Sequence, residues 1–244
     1  MIEHVSDPST EHVSDPSLLP LVRVLQLASP ALPIGAYSYS QGLEWAVEAG
    51  TVHDARSAEH WIGDLSMLAM AKGEAPIAWR LIKTCGTDWV SFVHWNAWFR
   101  ASREGAELRA ETLQMGQSLL HLAGELEWLG EWLGGDAREI LPALAPITLP
   151  AAYALAARGC DVRSERALAA YIWSWLENQS LAAMKLVPLG QVAGQKMLVA
   201  LAARIPAIVG EASKLEGDDI STFAPGLALA SARHETQYTR LFRS

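Results

Sequence analysis

Charge, cysteine and strand-forming pattern are all scarce in this chain. Lys, Arg, Asp and Glu make up 19% of its 244 residues, against roughly 25% in an ordinary soluble domain. With half of the residues hydrophobic, so little charge calls for a large internal core or extensive partner interfaces. The balance is acidic, with a net charge of -8. Nucleic-acid binding, which needs a basic stripe, is therefore not expected. The only cysteines are Cys85 and Cys160, far apart and outside any CxxC. No disulfide framework follows from them, and a reducing, cytoplasmic setting fits. The N-terminus has no apolar signal region, and no uncharged apolar run reaches about 18 residues, so no transmembrane helix is expected.

Catalytic motifs are missing as well. There is no GxxxxGK[ST] or GxGxxG for a nucleotide and no GxSxG elbow, and His234-Glu235 lacks the second histidine of HExxH. His53 and His60 lie seven apart and read as ordinary exposed residues. Neither cysteine has partners that would complete a metal site. Glu104, Glu107 and Glu111, with Arg103 and Arg109 nearby, read as a solvated, ion-paired helix face. The tryptophans Trp95, Trp98, Trp173 and Trp175 read as core, the alternative being the lining of an enzyme pocket.

What is present is helical. EHVSDPS occurs at Glu3–Ser9 and again at Glu11–Ser17, and this polar tandem leader is expected to be disordered to about residue 17. From Leu18 onward, Leu18, Leu21, Val22 and Leu25 share one helical face. Asp54 is a candidate N-cap for a helix that Gly73 weakens, with Pro76 opening the next. Asp88 caps a Trp-rich helix. Leu108, Thr112, Met115, Leu119, Leu122, Leu126, Leu129 and Leu133 form a long seam that Gly116, Gly124 and Gly130 interrupt, as in a buried helix or two within a bundle. Helices follow from Pro150 to Gly159, from Ser164, after Pro188, and from Pro225, with Pro206 kinking or ending one of them. No strand pattern is found. The fold class is therefore all-α, a single bundle-like domain of about ten helices over residues 18–244.

Two segments stand apart. SPALPIGAYSYSQGLE (Ser29–Glu44) crowds Pro, Gly, Tyr and Ser between apolar helices. Pro30 and Pro33 stop one helix, Gly35 permits an unusual backbone angle, and Ser38 or Ser40 caps the next. ARHETQYTRLFRS, at residues 232–244, is locally basic in an acidic chain. Tyr and Arg are the residue types that anchor interfaces.

These two segments, with RAETLQMGQSLL (Arg109–Leu120) and KLVPLGQVAGQKML (Lys185–Leu198), resemble in order the signatures of the urease accessory protein F (UreF) family. The resemblance covers the chain from about Leu18 and leaves out the leader. It implies an all-α, cytoplasmic protein that is not an enzyme and needs no cofactor. Such a protein acts in GTP-dependent nickel insertion into apo-urease, bridging the accessory protein UreD (UreH in some organisms) and the GTPase UreG, and is usually a homodimer. Carried over residue by residue, it implies partner binding by Tyr37 and Arg240, and secondarily by Glu44, His234, Glu235, Tyr238 and Arg243. Two alternatives stand beside the scaffold: direct nickel binding as a metallochaperone, and activation of the GTPase by Arg240 or Arg243.

Overall fold

A computed structural model describes residue 15, residues 18–129 and residues 139–244. All of the leader except Asp15, and the Gly130 and Leu133 end of the seam, lie outside the described residues. Among the described residues there is no strand, and the fold is all-α.

In chain order the helices are α1 (Leu18–Ala28), α2 (Leu43–Glu48), α3 (Ala55–Leu65), α4 (Ala75–Thr84), α5 (Trp89–Ala101), α6 (Ala106–Glu125), α7 (Leu149–Gly159), α8 (Ser164–Leu186), α9 (Gln191–Ala202), α10 (Ile205–Ala212) and α11 (Pro225–His234). Most starts are where local chemistry puts them. Asp54 accepts a hydrogen bond from Ser57 N while the Ser57 hydroxyl takes up the Asp54 N–H, a reciprocal capping box. Asp88 accepts from Ser91 N. Gly35 and Gly50 have φ of 85° and 73°, the left-handed backbone that makes glycine the residue for a turn or stop.

The expected break at Gly73 does not occur. Residues 66–74 form a π-helical stretch that joins α3 to α4 in one rod. In a regular α-helix the carbonyl of Lys72 would accept from position 76, but Pro76 has no N–H. Ser221 N supplies the missing donor at 2.9 Å. Gly73 lets that crossing backbone come close: a Cβ there would lie 3.0 Å from Ser221 O.

The centre of the bundle is α7. Every residue from Pro150 to Ala157 is buried, so this helix is enclosed on all sides. It packs most extensively on α6. The long α8 carries α1, α9 and α10 on other faces. The proline-rich link before α7 is tied into the core by Asn96. Its amide donates to Leu144 O at 3.0 Å, and its Oδ1 accepts from Thr148 N (2.9 Å) and Thr148 Oγ1 (2.8 Å).

One further expectation needs correction. The seam leaves helical geometry at Leu126, and Glu127 turns back with φ of 56°. Cys160 follows the end of α7 fully buried, and burial pushes its thiol up to about 11. Residues 191–212 form one stretch apolar and long enough to span a membrane by composition. That stretch is two helices, α9 and α10, divided at Ala203–Arg204 ahead of Pro206. Met197, Leu198, Leu201, Ile208 and Ala212 are buried within the protein.

Candidate partner-binding site

The Ser29–Glu44 segment and the C-terminal segment meet. Arg243 N donates to Ser38 O at 2.8 Å, and Ser40 N and Ser40 Oγ both donate to Ser244 O, at 2.7 and 2.5 Å. Ser40 Oγ also accepts from Glu44 N at 3.3 Å, so this serine caps α2 as well. Gly42 is required at the crossing. Its φ is 77°, and a Cβ would sit 2.8 Å from the Ala230 Cβ of α11.

Beneath the junction lies a buried polar cluster. Glu44 is 7% exposed. Its carboxylate accepts from Leu241 N at 2.6 Å and Phe242 N at 2.8 Å, and faces His234 Nε2 at 3.2 Å. The fully buried His234 turns its other ring nitrogen to Glu107, 2.7 Å away. Both ring nitrogens of His234 thus turn to carboxylates, Glu107 and Glu44. Glu107 also accepts from Arg240 Nη1 at 2.7 Å. Glu235 caps α6 from across the junction, accepting from Ala106 N at 2.8 Å. Gly105, at the start of α6, has no side chain to do so, and a carboxylate suits the positive end of a helix.

The reading of Glu104, Glu107 and Glu111 as a solvated face is overturned. Glu104 is exposed, but Glu107 is half-buried and Glu111 is buried. Glu111 Oε1 accepts from Gln41 Nε2 at 2.7 Å, and Glu111 Oε2 pairs with the Ser244 hydroxyl at 2.8 Å. Gln41 in turn accepts from Trp175 Nε1 at 2.7 Å. Burial raises the Glu111 carboxyl to about 7, against the lowering effect of these two hydrogen bonds. A signal for its burial is present in the sequence: Glu111 lies three residues after Leu108 and four before Met115, on the seam itself.

The predicted site residues thus divide. Glu44 and His234 are buried, with partners inside the chain. Glu235 is exposed but engaged as a cap. Tyr37, Tyr238, Arg240 and Arg243 are on the surface. Tyr37 is 64% exposed and the Tyr238 side chain is fully open to solvent. Arg243 Nη1 reaches Gln114 Oε1 at 3.4 Å, where the Tyr39 hydroxyl also donates, and its guanidinium also acts on Tyr39. Residues missed from the sequence are Gln41, Glu107 and Glu111.

The four tryptophans do not form one pocket. Trp175 lines a cavity of about 70 Å³ with Glu74, Glu111 and Tyr171. Trp173 faces a surface groove, and the Trp95 and Trp98 rings lie tilted at 55° with centroids 6.1 Å apart. Among the described residues, no three His, Cys, Asp or Glu side chains converge in a metal-binding group.

Fold and site together define an all-helical protein with an internally braced surface junction. The UreF family model matches residues 52–202, and the chain belongs to the UreF family. It is 53% identical over 228 residues to the urease accessory protein UreF of Azoarcus sp. (strain BH72), covering 93% of this chain and 97% of that one. It is 50% identical to the proteins of the same name from Methylobacillus flagellatus, over 226 residues, and Cupriavidus necator, over 229 residues. Each of these alignments covers 92% of this chain and 97% of the relative.

Proposed function

We propose that the chain is a non-catalytic scaffold for urease maturation, bridging the UreD/UreH accessory protein and the UreG GTPase during GTP-dependent nickel insertion. Coupling to the GTPase would come from different affinities for its two nucleotide states. The observation that carries the reading is the junction. Tyr37, Tyr238, Arg240 and Arg243 are displayed on backbone that buried Glu44, Glu111 and His234 hold from below. Anchors pre-ordered in this way lose little entropy on binding. Arg240 keeps guanidinium donors beyond the one given to Glu107, enough to reach a partner carboxylate or carbonyl. In Tyr37→Ala and Arg240→Ala proteins, helix content should be unchanged. Co-purification with the two accessory proteins should fall at least tenfold, and urease activation should fall with it. Normal complexes and activation in both variants would remove these residues from the interface. An Arg240→Lys protein that still assembles but fails to stimulate GTP hydrolysis would favour the arginine-finger alternative.

The same reading includes a homodimer, and α1 is its natural surface. Only Val24, Leu27 and Ala28 of α1 are buried. Leu19 is 57%, Val22 56% and Leu25 62% exposed. Beside this ridge lies a groove of about 490 Å³, lined by Val24, Ala28, Ala169, Trp173 and Ile205 among others. A ridge next to a groove on one face is self-complementary, as a twofold interface requires. Leu25→Glu should leave helix content intact, because the site is open, and weaken the dimer roughly 100-fold in sedimentation experiments. A dimer of unchanged affinity would move the interface elsewhere.

A further inference from the structure

We infer that residues 240–244 form a proton-gated strap, closed while Glu111 carries a proton and loosened when it ionises. The strap makes few apolar contacts of its own: Phe242 is buried, whereas Leu241 is 67% exposed. Polar groups hold the rest. Glu44 takes the N–H groups of Leu241 and Phe242, Ser38 O takes that of Arg243, and Ser40 and Glu111 hold Ser244.

Burial without a cation of its own favours the neutral acid at Glu111, and its two partners can accommodate that form. One oxygen meets the amide of Gln41, which can only donate at that contact. The other meets the Ser244 hydroxyl, which can donate or accept. A carboxylic acid, with one acceptor and one O–H, satisfies both. An ionised Glu111 keeps both bonds by turning the serine hydroxyl, but it brings a buried charge with no ion-pair partner. Arg103, a cation acting on it, is paired with Glu74. The other ionisable groups acting on Glu111 or facing the strap are Tyr39 and Tyr171, Lys185 of α8 with its ammonium 5.7 Å from the Phe242 ring centroid, and Glu44, Glu107, His234, Glu235, Arg240 and Arg243 around the junction. Glu74 opposes ionisation.

The direction follows from linkage. The closed strap holds the proton up to about pH 7, whereas a released strap exposes Glu111 to water, where an ordinary glutamate loses it near pH 4.3. The closed form is therefore favoured most below that lower value. It loses its advantage as pH rises through about 7, and levels off above. The inference goes beyond the scaffold reading and does not rest on it, since the gate belongs to the isolated chain.

Amide hydrogen exchange of the full chain at pH 5 and pH 8, corrected for intrinsic rates, tests it. Protection of Leu241, Phe242 and Arg243 should fall at least tenfold relative to core amides of α7 and α8. In Glu111→Gln, whose amide keeps one acceptor and one donor, the relative fall should be under threefold. Strap and core amides changing in parallel in the natural chain would overturn the gate. A fall of the same size in Glu111→Gln would overturn the assignment of the proton.

Discussion

Replacing Glu44 by alanine is expected to cost about 3–5 kcal/mol of folding stability. Three groups lose their acceptor at once: Leu241 N, Phe242 N and the buried ring of His234. Removing one member of a buried charged cluster leaves the others desolvated and uncompensated, which costs more than the pair was worth. A domain is typically stable by 5–15 kcal/mol, so the variant should fold but with a sharply lower midpoint. Urea unfolding followed by circular dichroism checks this. Glu44→Gln should lose somewhat less, since its single carbonyl oxygen keeps an acceptor for one of the two backbone groups, which meet different carboxylate oxygens. Equal stability of Glu44→Ala and the natural chain would mean that the junction does not hold the C-terminal segment.

The second large effect lies in α6. Gly116→Ala is expected to destabilise by about 3 kcal/mol, and Gly124→Ala to stabilise by a few tenths to about 1 kcal/mol. Both replace glycine by the best helix former in the same helix, so propensity alone gives them the same sign. Packing separates them. A Cβ at Gly116 would lie 2.6 Å from Ile147 O and 2.6 Å from the carbonyl carbon of Thr148, whereas one at Gly124 meets nothing within 4 Å. The obstacle at Gly116 is backbone, which cannot rotate away. It belongs to the link that Asn96 pins in place, so α6 and α7 would have to separate. Thermal denaturation of the two variants side by side reads the difference, and a stabilising Gly116→Ala would contradict the close approach.

These glycines also mark the limit of sequence reasoning. Local chemistry was legible: the caps at Asp54 and Asp88, the turn at Gly35, the helix starts at Pro150 and Pro225, and the all-α class. Gly116 reads in sequence as a weak point in a helix, because its value lies in a neighbour that periodicity does not reveal. Gly73 and Pro76 likewise read as a break, because the donor that rescues Lys72 comes from Ser221. At the junction, the two unusual segments were visible as composition. The burial of Glu107 and Glu111 was not, since a carboxylate at helical spacing looks the same on a wet face as on a dry one. The meeting of residues 38–44 with 240–244 is a long-range pairing with no local trace.

The rescue of Lys72 reaches further than the rod it repairs. The Ser221 hydrogen bond pegs the loop that leads directly into α11, and α11 ends at His234, the hinge of the junction. The α3–α4 rod therefore acts as a datum from which the C-terminal surface is measured. Shifting Pro76 by one residue in the rod would move the vacant carbonyl round the helix axis by about 100°. The peg would face away from the loop, and the display of Arg240 would be set adrift by a change in a helix it never touches.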